Sequence, residues 1–126
     1  IDSYIDEIEK IKPVDFKEFE GSIEKKRAIE RLLQISIEVV IDISYIIVSN
    51  LKLGIPSDED VIFEKLRENK IISEKMTNKL KNMKAFINIL VHKYGRVDDE
   101  RVFENLENLP DFDMFKKEIL NFLEKN

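Results

Sequence analysis

His92, the only histidine in the chain, is the residue whose type most directly suggests chemistry. Asn88 lies four residues earlier, so in a helix the two side chains share one face. A histidine whose pKa is near neutrality can accept a proton from a ribose 2′-hydroxyl and donate one to the leaving oxygen. This is the chemistry of metal-independent RNA cleavage, which also needs a fixed cation against the charge that develops on the phosphate. A single helical histidine is more often structural, so its neighbours decide the interpretation.

The residues around His92 resemble the motif of the HEPN ribonuclease superfamily, in the form that HepT toxins carry. The motif reads Arg-Asn-x-x-x-His and continues as His-x-Tyr, and the matching segment is Phe86–Tyr94. Further segments resemble other landmarks of that family in the expected order, over nearly the whole chain: 27–34 leading into 41–43, 53–56 and 94–100.

The resemblance implies an all-α fold and a homodimer in which the motifs of both subunits lie near one cleft. It also implies an endoribonuclease toxin that is paired with a minimal nucleotidyltransferase antitoxin of the MntA type. In that family the antitoxin silences the toxin by attaching AMP to the tyrosine of His-x-Tyr, which corresponds to Tyr94 here. By the same resemblance, His92 is the general acid and base and Asn88 orients the site.

One position departs from the motif, because Ile87 stands where the family has arginine. Isoleucine has neither charge nor hydrogen-bond donor, and losing one such electrostatic group commonly costs about 100- to 1000-fold in rate. Lys84, Lys93 and Arg96 are weaker candidates for a replacement cation. The chain is therefore expected to be a poor nuclease or an inactive one, either as an attenuated copy or as a natural member that binds without cutting.

A stripe of polar residues runs along the longest predicted helix at spacings of four, four, three and four: Gln34, Glu38, Asp42, Tyr45 and Ser49. The stripe is either a solvated outer face or one wall of a polar groove. In the second interpretation Gln34, Glu38 and Asp42, together with Lys93, form the wall of the cleft. Glu38, Asp42 and His92 could in principle bind a divalent ion. They lack a recognised metal-ligand spacing, so neither a metal nor a cofactor is expected.

Hydrophobic periodicity near 3.6 residues predicts an all-α, up-and-down bundle of five to six helices. Few glycines and prolines interrupt the pattern, and Ser22 and Gly54 are the expected N-cap and C-cap of the longest helix. The predicted helices are one ending at Ile11, one over Ile23–Leu53, one from Ser57 or Asp58 to Asn69, one over Ser73–Lys93, a short one holding Val102, Phe103 and Leu106, and one over Asp111–Lys125. On the fourth and last helices, the side chains expected to face the core are Met76, Leu80, Met83, Ile87, Leu90, Met114, Phe115, Ile119, Phe122 and Leu123.

The whole-chain composition limits the domain count, the kinds of site and the kinds of ligand that the protein can have. A length of 126 residues suits one domain over 1–126, and the absence of cysteine excludes disulfides and thiolate metal sites. The formal net charge of -5 argues against tight binding of extended duplexes, although a local basic pocket could hold a short strand. No signal peptide is recognised, and Ile35–Val48 is interrupted by charges, which favours a cytoplasmic protein without a membrane partner. The alternative function is a non-catalytic helical subunit that binds a nucleotidyltransferase.

Overall fold

A computed structural model describes residues 2–11, 21–54, 58–92, 104 and 106–125 of the chain. These residues form five α-helices and one short 3₁₀ turn, and none of them lies in a strand, which confirms the predicted all-α fold. The helices are α1 (Asp2–Ile11), α2 (Ile23–Asn50), α3 (Glu59–Glu68), α4 (Glu74–His92) and α5 (Pro110–Lys125), with the 3₁₀ turn at Leu106–Asn108 between α4 and α5. Of the predicted short helix, Val102 and Phe103 lie outside the described residues, whereas Leu106 is buried in the 3₁₀ turn.

Three helices begin at side chains that cap their first turns. Ser22 Oγ accepts a hydrogen bond from the backbone N–H of Lys25 at 3.3 Å, as predicted. Asp58, not Ser57, is the N-cap of α3, and its carboxylate accepts from the Val61 N–H at 2.9 Å. Ser73 Oγ accepts from the Met76 N–H at 3.0 Å and begins α4. Each cap satisfies a backbone donor that the first turn of a helix leaves without an internal partner.

The end of α2 differs from the prediction, because the helix stops at Asn50 and Gly54 is not its C-cap. Leu51 is the C-cap, and Lys52 takes the left-handed conformation with φ 54°. Backbone bonds from Lys52 to Ser49 and from Leu53 to Val48 complete a Schellman motif. Gly54 also has positive φ, but it lies one residue beyond this motif, which ends at Leu53. Lys52 therefore occupies the position at which the usual sequence rule expects glycine.

The core lies along one stripe of α2. Its buried residues recur every three or four positions, and the stripe consists of Ile29, Leu33, Ser36, Ile37, Val40, Ser44 and Val48. Ser36 and Ser44 donate their hydroxyl hydrogens to the carbonyls of Leu32 and Val40, both at 2.8 Å, so their burial leaves no unpaired hydroxyl. Helix α2 packs against α1, α3 and α4, and α5 packs against α4.

Helix α2 also meets, by length and composition alone, the criterion for a membrane-crossing helix. Core helices meet that criterion too, so it does not separate the two cases. The apolar stretch Ile35–Val48 is too short to cross a membrane, whereas the helix that contains it has 28 residues. Seven of its residues form a continuous buried stripe within the bundle, and 33% of its most hydrophobic 18-residue window is buried.

The inward faces of α4 and α5 mostly follow the prediction. Met76, Leu80 and Met83 are buried, whereas the side chains of Ile87 and Leu90 lie outside the described ones. On α5 the prediction is wrong for Leu123, which is 56% exposed. The buried stripe runs through Phe112, Phe115, Ile119 and the half-buried Phe122. Leu123 is rotated roughly 100° from Phe122, because each helical residue advances by that angle, and it therefore faces solvent.

Candidate functional site

The predicted motif lies on the C-terminal turns of α4. Phe86 is buried with 7% exposure, whereas Asn88, two residues later, is exposed. His92 is the last residue of the helix. The side chains of Ile87 and His92, and the whole of Lys93 and Tyr94, lie outside the described residues, so their predicted roles stay predictions. Helix α4 thus presents one predicted site residue, Asn88, to solvent close to its own C-terminus.

Lys84, one turn before the motif, is already engaged in ion pairs. Its ammonium lies 3.1 Å from Asp60 Oδ1 and 3.9 Å from Glu59 Oε2, and its side chain is only 17% exposed. Both carboxylates belong to the first turn of α3. A lysine held by two acids has part of its charge neutralised and its direction fixed. Lys84 is therefore poorly suited to replace the missing arginine at position 87.

A second cross-helix ion pair lies one turn further from the motif. Glu64 of α3 accepts a hydrogen bond from Lys81 of α4 at 2.5 Å and another from Arg67 at 2.8 Å. These two donors hold the pKa of Glu64 below its ordinary value, with the Lys81 bond contributing most. The pairs Lys81–Glu64 and Lys84–Asp60 form two successive links between α3 and α4. They connect the middle of α4 to α3, on the side of the helix that carries Lys81 and Lys84.

The polar stripe of α2 faces solvent. Gln34 is half-buried and donates a hydrogen bond to Glu38 at 3.1 Å, while Glu38, Asp42 and Ser49 are exposed. Within the described part of the chain, no hydrogen bond or ion pair connects the stripe with Asn88. The arrangement matches the solvated-face interpretation for a single subunit, and the cleft-wall interpretation requires a second subunit against the stripe. No group of three metal-ligating side chains is found among the residues that the structure describes.

Tyr45, a member of this stripe, and its neighbour Ile46 both expose apolar surface. The sequence did not predict that they would be exposed as a pair. Tyr45 is 42% exposed and Ile46 is 58% exposed, in the C-terminal half of α2. The sequence pattern had placed only Tyr45 on the polar stripe. Ile46 follows it directly, so the exposed face of α2 is mixed: acidic at Glu38 and Asp42 and apolar one turn later.

The comparison with protein families decides where the chain belongs. The model of the HepT-like family, described as ribonuclease HepT-like, matches residues 1–119. The chain belongs to the HepT-like family. Among its curated relatives is the tRNA nuclease HepT of Aphanizomenon flos-aquae, which is 27% identical over 124 residues, 98% of this chain and 84% of that protein.

Solved structures related to this HepT-like chain agree with that assignment. One is the tri-AMPylated HEPN toxin of Shewanella oneidensis in complex with its MNT antitoxin. It matches with a TM-score of 0.88 at 27% identity, covering 95% of this chain and 90% of that one. Another is a toxin–antitoxin complex with AMP-PNP, at a TM-score of 0.86, 27% identity, and coverage of 94% and 90%. The family expected from Phe86–Tyr94 is thereby confirmed, and so is the HEPN fold.

Proposed function

We propose that this protein is the RNA-cleaving toxin component of a HepT/MntA-type toxin–antitoxin pair, a metal-independent endoribonuclease whose activity is weakened by Ile87. The observation that carries the proposal is the family match over residues 1–119, which includes the motif on the last turns of α4. The chain acts in the cytoplasm as one domain over residues 1–126. Its substrate is RNA, and tRNA is the first RNA to test, because a relative is a tRNA nuclease.

In the proposed reaction, His92 accepts the proton of a ribose 2′-hydroxyl, whose oxygen attacks the adjacent phosphorus. The bond from phosphorus to the 5′-oxygen of the next nucleotide breaks, and that oxygen receives a proton from His92. The products are a 2′,3′-cyclic phosphate and a free 5′-hydroxyl. Asn88, exposed on the same face of α4, orients the site. Ile87 supplies no charge to the transition state, which limits the rate.

The antitoxin in this proposal is a nucleotidyltransferase that transfers AMP to Tyr94. The motif match places Tyr94 two residues after His92, at the tyrosine of His-x-Tyr. The support from known proteins is that the Shewanella oneidensis relative is tri-AMPylated and in complex with an MNT antitoxin. An adenylate on Tyr94 would bring a bulky negative group next to His92, where it would repel RNA phosphates.

The active form in this proposal is a homodimer that uses the exposed face of α2. Tyr45 and Ile46 present apolar surface there, at 42% and 58% exposure. Covering these side chains with the same face of a second copy would remove apolar area from water. It would also place Glu38 and Asp42 next to the partner subunit, where they could form the wall of a cleft.

The test compares tRNA cleavage by the chain as it is, by Ile87→Arg, and by Ile87→Arg with His92→Ala, all in the presence of EDTA. The proposal predicts cleavage about 100- to 1000-fold faster with Arg at position 87, and loss of that gain with His92→Ala. Cleavage that persists without His92 would rule out its role as acid and base. An Ile87→Lys variant shows whether charge alone suffices.

A second candidate function is a non-catalytic subunit that binds the nucleotidyltransferase. Ile87 favours it, because the chain carries the other motif residues without the arginine. In this case Ile87→Arg leaves the cleavage rate unchanged. Tyr94→Phe, or substitutions on α2, would then abolish co-purification with a co-expressed antitoxin. The same substitutions would leave the rate of RNA cleavage unchanged.

A further inference from the structure

A cleft of about 430 Å³ lies at the end of α4 opposite the motif. It is bounded by the turn between α3 and α4 and by the C-terminal half of α5. The lining residues are Arg67, Lys70, Ile71, Ile72, Ser73, Glu74, Glu118, Asn121, Phe122 and Lys125. Along α4, which rises about 1.5 Å per residue, Asn88 and His92 lie about 22 to 28 Å from Ser73. The cleft is therefore separate from the motif.

Two residues that line the cleft, 45 positions apart in the chain, are in direct contact. The Glu118 carboxylate accepts one hydrogen bond from the Ser73 N–H at 2.6 Å and another from the Ser73 hydroxyl at 3.2 Å. The negative charge of Glu118 therefore faces the N-terminus of α4, where the helix dipole stabilises it. Ile71 and Ile72 are buried at 3% and 4% exposure and fix the turn from beneath.

The rim of the cleft carries five charged residues, three basic and two acidic. Arg67, Lys70 and Lys125 stand against Glu74 and Glu118, in a chain whose formal net charge is -5. Arg67 is paired with Glu64 at 2.7 Å. Within the described part of the chain, Lys70 and Lys125 form no ion pair, and both are exposed. These two lysines are the cations that a ligand meets first.

Lys70 also has an unusual backbone. It occupies the left-handed region with φ 58°, at a Schellman position where glycine is preferred. Lys52 has the same conformation, φ 54°, at the corresponding position after α2, and it does not line the cleft. The backbone conformation alone is therefore no sign of a ligand. It does make Lys52 a matched control for Lys70.

We infer that this cleft is an RNA-backbone exosite, in which Lys70 and Lys125 contact phosphates of a substrate whose scissile bond lies at the motif. The inference rests on the proposed function, which supplies RNA as the ligand. Phosphates suit exposed lysines, and an open cleft suits a chain that enters and leaves it. It also adds a contact for RNA on an acidic protein, because two exposed lysines far from Asn88 add affinity without a basic surface overall.

The experiment measures binding of unfractionated tRNA by the full chain as a function of salt. The variants are Lys70→Gly, Lys125→Gln, the double variant, and Lys52→Gly as the control. Glycine fits both left-handed positions, so thermal unfolding should show Lys70→Gly and Lys52→Gly at least as stable as the parent. The slope of log K against log salt should fall by about one for each cleft lysine that is removed, and it should stay unchanged in Lys52→Gly.

The outcomes separate this inference from the proposed function. Cleavage by Ile87→Arg at saturating tRNA decides the nuclease function and does not depend on either lysine. Adding Lys70→Gly and Lys125→Gln to Ile87→Arg should raise KM for tRNA and leave kcat unchanged, because the exosite is far from the reacting atoms. Equal salt slopes in all variants, or an absence of tRNA binding by the parent at low salt, would overturn the exosite whatever the cleavage result.

Discussion

The two ends of α4 are explained by different kinds of evidence. At the N-terminal end, Ser73, Met76 and Glu118 make contacts that explain why the helix begins there and how it is held. At the C-terminal end, Asn88 is exposed, and the meaning of Ile87 and His92 comes from the family motif. Packing and capping thus account for the first end, whereas the second is interpreted only through the reaction proposed for its residues.

The largest expected contrast in stability is between a buried residue and an exposed one on the same helix. Met76→Ala should lower the free energy of unfolding by about 2–5 kcal/mol, because Met76 is fully buried and its loss leaves a cavity. Asn88→Ala should change it by no more than about 0.5 kcal/mol, since its side chain is exposed. Urea unfolding of both variants measures the difference. Equal losses would mean that Asn88 has a structural role after all.

The next effect concerns the cap that α5 provides to α4. Glu118→Gln removes the charge that accepts the Ser73 N–H and hydroxyl bonds, and should cost about 1 kcal/mol. Glu124→Gln, an exposed change in the last turn of the same helix, serves as the control. The comparison is made by urea unfolding at neutral pH. A Glu118→Gln protein as stable as the control would show that this contact does not hold α4.

A smaller effect, of opposite sign, is expected at the two lysines with positive φ. Lys52→Gly and Lys70→Gly should each stabilise the fold by about 0.5–1 kcal/mol, because the left-handed region is unfavourable for side chains with a Cβ atom. Lys75→Gly, inside the first turns of α4, should instead destabilise it by about 1 kcal/mol. Thermal unfolding distinguishes the signs, and destabilisation in all three variants would contradict the assigned backbone.

The smallest effect is a pH dependence at the ion pairs between α3 and α4. Lys81 and Arg67 hold the pKa of Glu64 below its ordinary value of 4.5, so the folded state binds this proton less tightly than the unfolded chain does. Its contribution is therefore present above that ordinary value and is lost as the pH falls through the lowered one. Glu64→Gln should flatten the curve of unfolding free energy against pH on the acid side. The Glu124→Gln control should leave that curve as it is in the parent.

Local rules predicted much of the fold. Ser22 was correctly predicted as a cap because a capping hydroxyl acts within three residues of its own position, and the start of α4 was predicted at Ser73. The end of α2 was missed, because Lys52 adopts the conformation that the rule reserves for glycine. Leu123 was missed because the buried stripe of α5 ends at Phe122.

The candidate site was only partly accessible from local patterns. His92 and Asn88 follow from residue chemistry and helical spacing, and the family assignment needed the whole motif. The contact between Ser73 and Glu118 spans 45 positions, and a local pattern carries no signal for it. The cleft that it supports was therefore found only in the folded chain.

The most direct test of the central claim identifies the RNA ends that the Ile87→Arg protein produces in EDTA. Labelled tRNA fragments are analysed by mass spectrometry, with the His92→Ala double variant as the blank. If His92 activates a ribose 2′-hydroxyl, the new 3′ ends carry a 2′,3′-cyclic phosphate and the new 5′ ends a hydroxyl. Fragments with a 3′-hydroxyl and a 5′-phosphate would contradict the account, since they would mean that water, not the ribose, attacked the phosphorus.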